Sequence, residues 1–162
     1  MLFRSVPVFN DQRTQGGEGT VELALNRRWK INTNATGMHA SLTDNPSNPA
    51  ATGQRPQGVP NRIVNLWTSY DIPAGTHQTF TLSGGFTNRS SMFADLLNTN
   101  SIPSYTTADT VANFNTHGLT GSFGVRNLTD ARYFTAANGI GGFVGDARTY
   151  FGKLQFQLGN KR

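Results

Sequence analysis

The sequence predicts an all-β chain, an antiparallel up-and-down meander of about seven long strands forming part of a transmembrane β-barrel wall. Three observations carry this. Thr occurs 20 times, Gly 18 and Asn 16, against two Glu and three Lys, a set poor in helix formers and rich in strand and turn residues. Apolar residues recur with period two over long stretches, near the length that crosses a bilayer at a tilt. The connections between those stretches alternate short and long, the pattern of a membrane barrel with tight turns on one rim and long loops on the other.

Each strand follows from its alternation. Residues 19–26 align Val21, Leu23 and Leu25 on one face, and 29–42 align Trp29, Ile31, Thr33 and Ala35. Residues 60–72 align Val64, Leu66, Thr68, Tyr70 and Ile72; residues 79–87 align Phe80, Leu82, Gly84 and Phe86. The apolar face of 105–114 is thin, with Ala108, Ala112 and Phe114. Residues 118–126 align Leu119, Gly121, Phe123 and Val125, and 149–158 align Tyr150, Gly152, Leu154, Phe156 and Leu158. The opposite faces are mostly Thr, Ser, Gly, Gln, Lys and Arg, which fill a small closed lumen poorly, so an open curved sheet is expected. Short turns fall at 26–28, 73–77 and 115–118; long loops fall at about 43–59, 88–104 and 127–146. Within the second long loop, SSMFADLL (90–97) reads as a short helix. Tyr70, Phe86, Tyr105, Tyr133 and Tyr150 fall at or near strand ends, where amphipathic rings meet a membrane interface.

Composition excludes several function classes. The absence of Cys removes disulfides, thiolate zinc sites and cysteine nucleophiles. The net charge of +5 is scattered, with Arg27–Arg28 and Lys161–Arg162 the only adjacent basic pairs, so no stripe for nucleic acid forms. His39, His77 and His117 lack metal-ligand spacing, and no Ser/His/Asp arrangement suggests itself. Neither enzyme activity, nor a cofactor, nor a metal site is expected. Residues 1–9 lack the apolar core of a signal peptide, which fits a chain starting inside a longer protein.

Four segments then carry a resemblance. NLTDARYF (127–134) resembles the penultimate-strand signature of TonB-dependent outer-membrane receptors. RIVNLWTSYDI (62–72) is similar to the "LWTxYD" strand of siderophore receptors, and IPSYTTADTVANF (102–114) to the "PxYxxxDxxxxY" strand, with Phe114 in place of the final Tyr. GDARTYFGKLQFQL (145–158) resembles the closing strand. The four occur in the family's order, over about residues 18–158.

The resemblance implies the C-terminal third of a receptor in the bacterial outer membrane that takes up ferric siderophores. Residues 1–17 are then an N-terminal remnant with a candidate partial strand at 4–9, residues 18–158 the barrel segment and 159–162 a tail. This piece supplies wall and loops. The implied partners are a ferric siderophore, outer-membrane lipid, and an energy-coupling inner-membrane complex acting through a plug outside these residues. The loop candidates for contacting an anionic aromatic chelate are Arg55, Arg89, Phe93 and Arg132. The motif residues Asn127, Asp130, Tyr133 and Arg148 read as structural, because Asn and Asp close Asx-type turns, with Arg148 placed to pair with Asp130 or Asp146. Two other readings stay open: a soluble all-β ligand-binding module, whose apolar faces need a second sheet, and a small structural outer-membrane barrel of about eight strands.

Overall fold

The computed structural model describes residues 11–76, 78–116, 118–137 and 141–157. His77, His117, Leu158, the possible partial strand at 4–9 and the 159–162 tail lie outside them. Among the described residues eleven strands form in chain order: β1 (Asp11–Ala24), β2 (Trp29–Asp44), β3 (Arg62–Gly75), β4 (Gln78–Arg89), β5 (Met92–Phe93), β6 (Ser101–Ile102), β7 (Tyr105–Thr116), β8 (Leu119–Arg126), β9 (Phe134–Ala137), β10 (Gly142–Val144) and β11 (Thr149–Phe156). Seven make one sheet in the order β1-β2-β3-β4-β7-β8-β11. Every neighbouring pair in it is antiparallel. This is the expected meander. Among the described residues no ladder joins β1 to β11, so the sheet is open there, and no second sheet covers its apolar face as a sandwich requires.

Three differences from the sequence reading are physical. The first strand begins at Asp11 instead of residue 19, so residues 11–17, assigned to the N-terminal remnant, pair with β2 as far as Asp44. That extension is polar and Gly-rich on both faces, so alternation gave no sign of it. The segment 90–97 forms no helix; β5 and β6 pair as a small hairpin instead. Its cause is Asp95, whose carboxylate accepts backbone N–H groups of Leu97, Thr99 and Asn100 at 2.6–3.0 Å, folding the chain into a turn. The third long loop likewise holds the β9–β10 hairpin.

Register puts the seven apolar faces on one side. Leu23, Ile31, Thr68, Gly84, Thr110, Val125 and Tyr150 are successive partners across the sheet. One row towards the short turns, Trp29, Tyr70, Leu82, Ala112, Phe123 and Gly152 do the same. Val21, Leu23, Leu82, Phe123, Leu154 and Phe156 are all exposed on this face. From Ile72 to Val64 the face of β3 rises about 27 Å along the strand. At a tilt of roughly 40° that is about 20 Å across a bilayer, close to the height of a lipid-facing band.

Polar groups behave differently on the two faces. On the apolar face, the hydroxyls of Thr33, Thr68 and Thr110 donate to backbone carbonyls of the adjacent strand, Asn65, Lys30 and Ser83, at 2.9–3.1 Å. The Trp29 indole N–H donates to the Thr68 hydroxyl at 2.8 Å. Each donor is thereby satisfied without water, as hydrocarbon demands. On the opposite face, side chains bond each other along the rows: Asn32 to Glu22, Asn65 to Asn34, Thr87 to Asn65 and Thr81 to Asp71. Two of the large rings on that face, Trp67 and Phe151, each require a glycine beside them. A Cβ on Gly85 would collide with the Trp67 ring, and one on Gly124 with Phe151.

Candidate functional site at the loop rim

The three long loops lie at one rim, and the first two form a layer with its own apolar interior. Among the described residues the buried apolar side chains are Ala40, Leu42, Ala51, Met92, Ile102 and Val125, and all but Val125 belong to the upper end of β2 or to the loops. Beyond Gly37, β2 leaves β3. Its Leu42 instead exchanges backbone bonds with Gln54 and Gly53 at 2.8 Å, so the 45–61 loop runs alongside β2. A 3₁₀ turn at Pro49–Ala51 bends that loop.

The second loop packs on the first. Gly58 N–H donates to the Phe93 carbonyl at 2.9 Å, and Asn61 and Arg62 N–H donate to the Ser90 hydroxyl at 3.0 Å. Arg55 and Phe93, singled out separately in the sequence, meet here: the guanidinium carbon sits 5.1 Å from the Phe93 ring centre. Hydrogen bonds from three backbone N–H groups hold the Asp95 carboxyl below its usual range, led by Thr99 and against the opposing effect of desolvation. A lowered carboxyl stabilises the turn above its unfolded pKa, and the effect is lost as pH falls through the folded value. The amide resonances of Leu97, Thr99 and Asn100 are therefore expected to shift together only below about pH 4. In Asp95→Asn they should show no such titration; a titration that persists there would show another group responsible.

Arg89 lies elsewhere, on the polar face of the sheet by its pairing with Tyr105. Its guanidinium carbon is 5.9 Å from the Tyr105 ring centre, and Tyr105 stacks on Tyr133 at 4.3 Å. Register thus puts Tyr105 on the polar face and not on the apolar band. Burial, and then the neighbouring Tyr105, Asp146 and Asp109, push the Tyr133 phenol up. Arg126 adds a third cation–ring pair, 5.2 Å from Phe151, again on the polar face. Sequence reasoning missed Arg126 and Phe151 as a site, since residues 25 positions apart meet only through register. Arg132 is exposed at the third loop, and the structure does not join it to Arg55 and Phe93.

The motif residues organise the third loop. Asn127 is buried at positive φ; its amide accepts Ala131 N–H and donates to the Ala131 and Asp146 carbonyls, each at 2.9 Å. Its backbone N–H donates to Asp109 at 2.7 Å. Asp130, also at positive φ, accepts the backbone N–H of Arg148 at 3.0 Å, so the contact between these residues runs through the main chain. Tyr133 holds the loop's return, accepting Gly145 N–H at its carbonyl at 2.8 Å. Among the described residues no group of three or more His, Asp or Glu is placed to hold a metal ion.

Comparison with known proteins agrees with this architecture. The chain is 34% identical over 99 residues to the ferrioxamine B receptor of Salmonella typhimurium, 58% of this chain and 14% of that receptor. It is 28% identical over 130 residues to PiuA of Acinetobacter baumannii, 72% of this chain and 17% of PiuA. It thus spans 14–17% of the length of these curated relatives. The crystal structure of the siderophore receptor PiuA superposes with a TM-score of 0.77 at 23% identity, covering 91% of this chain and 22% of that one. The ferric yersiniabactin uptake receptor FyuA of Yersinia pestis superposes with a TM-score of 0.78 at 19% identity, covering 91% of this chain and 24% of that one. Both share the fold. The family model for the TonB dependent receptor-like β-barrel matches residues 2–128. With the meander, the single lipid-height apolar face and the one-sided loops, that match establishes that the chain belongs to the TonB-dependent receptor β-barrel family.

Proposed function

We propose that this chain is a segment of an outer-membrane receptor that takes up ferric siderophores, and that it contributes barrel wall and three surface loops. The observation that carries the reading is the register: seven strand faces, each apolar on one side only, line up into one exposed band. A soluble module would have to cover that band, and lipid covers it directly. The siderophore comes from the relatives, whose names specify ferrioxamine B, ferric yersiniabactin and ferric preacinetobactin. The loop layer offers suitable chemistry: Arg55 supplies fixed positive charge and Phe93 an aromatic surface for an anionic chelate, with Arg132 on the third loop and Arg89 at the end of β4 as further cations of the same rim. Uptake draws energy from an inner-membrane complex acting on a plug inside the barrel.

The test is transport by the whole receptor that carries this segment, in an outer-membrane host lacking its own siderophore receptors. Radioiron loaded on ferrioxamine B, ferric yersiniabactin and ferric preacinetobactin forms the panel. Accumulation of at least one, abolished when the proton gradient is collapsed, is expected. Insertion of the receptor with no binding or uptake of any ferric chelate would overturn the proposal.

A further inference from the structure

We infer that Asn98 is a positioning residue that latches the 45–61 loop to the β5–β6 hairpin and thereby sets Arg55 onto Phe93. The Arg55 backbone N–H donates to Asn98 Oδ1 at 2.9 Å, and Asn98 Nδ2 donates back to the Arg55 carbonyl at 2.9 Å. A primary amide offers a donor and an acceptor in one plane, so it can match both main-chain groups of one residue. Asp lacks the donor, and Ser is too short to provide both.

The surroundings make the latch specific. Arg55 precedes Pro56, and a residue before proline is driven to an extended backbone. An extended residue presents its N–H and C=O roughly in one plane, ready for an amide. Asn98 sits at φ +58°, a conformation Asn tolerates better than Gln or other side chains. The Asp95 turn fixes the hairpin tip on both sides of Asn98 through Leu97, Thr99 and Asn100. With its backbone held, Arg55 reaches the Phe93 ring at 5.1 Å and the Ser91 carbonyl at 3.5 Å. All these contacts cross between two loops more than 30 residues apart in sequence. The cation–ring pair therefore exists before a chelate arrives, and its placement depends on Asn98.

The inference rests on Arg55 contacting the chelate, so its test separates the two claims. In the whole receptor, binding is measured for the panel member that the unchanged protein takes up. Arg55→Ala and Asn98→Ala are each expected to weaken binding about tenfold, and the double variant about tenfold as well, because both remove one interaction. A product of the two losses in the double variant, or full binding by Asn98→Ala, would overturn the positioning role. Full binding by Arg55→Ala would overturn the contact and the inference built on it, while leaving uptake by the receptor standing. Hydrogen exchange needs no chelate: Asn98→Ala should speed exchange at the Arg55 amide with the β3–β4 ladder still protected. Unchanged exchange at Arg55 would show that no latch exists.

Discussion

Replacing Leu82 or Leu154 with Arg is expected to cost about 2–4 kcal/mol when the receptor folds into a bilayer. Gln155→Arg, one residue along the same strand, should cost under about 1 kcal/mol. Leu82 and Leu154 are 49% and 64% exposed on the apolar face, so neither change overpacks a protein core. What an arginine loses there is its hydration, since the solvent on that face is hydrocarbon. Gln155 points to the opposite face, whose side chains bond one another and meet water. Ser83, Leu82's neighbour in sequence, is only 7% exposed and makes a poor control, because arginine there would also have to be accommodated sterically. Urea unfolding of the receptor from liposomes measures these costs. Equal costs at positions 154 and 155 would mean that both faces of β11 meet the same solvent.

Asn127→Ala should be about as damaging for a different reason. The change strips three hydrogen bonds from the main chain of half-buried Ala131 and exposed Asp146, each worth about 0.5–1.5 kcal/mol. It also leaves alanine at φ +49°, which adds about 1–2 kcal/mol. A loss of about 3 kcal/mol or more is expected, read as earlier thermal unfolding and as protease cleavage within residues 127–148. Asn127→Gly restores the conformational freedom but not the bonds, so it should recover about 1 kcal/mol. Alanine and glycine variants of equal stability would show that the positive φ contributes nothing. Variants as stable as the unchanged receptor would show that water replaces the amide.

What was legible in the sequence follows from where lipid imposes a rule. Between the rims each strand must be apolar on one side, so Leu23, Leu66, Leu82, Phe123 and Leu154 announced both the strands and their common face. Above the rim that rule lapses. Asp11–Gly17 and the upper end of β2 pair without alternation, and strands as short as Met92–Phe93 carry no period to read. The helix expected over 90–97 failed because a local carboxylate-to-backbone network outbid helix propensity. For the candidate site, residue types pointed to Arg55 and Phe93 individually. Their meeting, and Asn98's part in it, depends on two loops closing against each other, which no local pattern encodes.

The one-sided placement of the long loops also bears on how the wall enters its membrane. The turn after β1 is a few residues closed by Asn26, whereas the loops at the other rim carry many peptide groups and charged side chains. Each such loop must be threaded through hydrocarbon before its polar backbone is again satisfied. That crossing is a kinetic barrier, met once during assembly and then standing against return. The buried places of Met92 and Ile102 exist only once the loops have folded against one another. A condensed layer brings more polar backbone and charge together than any single extended loop, so drawing it back through hydrocarbon costs more than the first crossing.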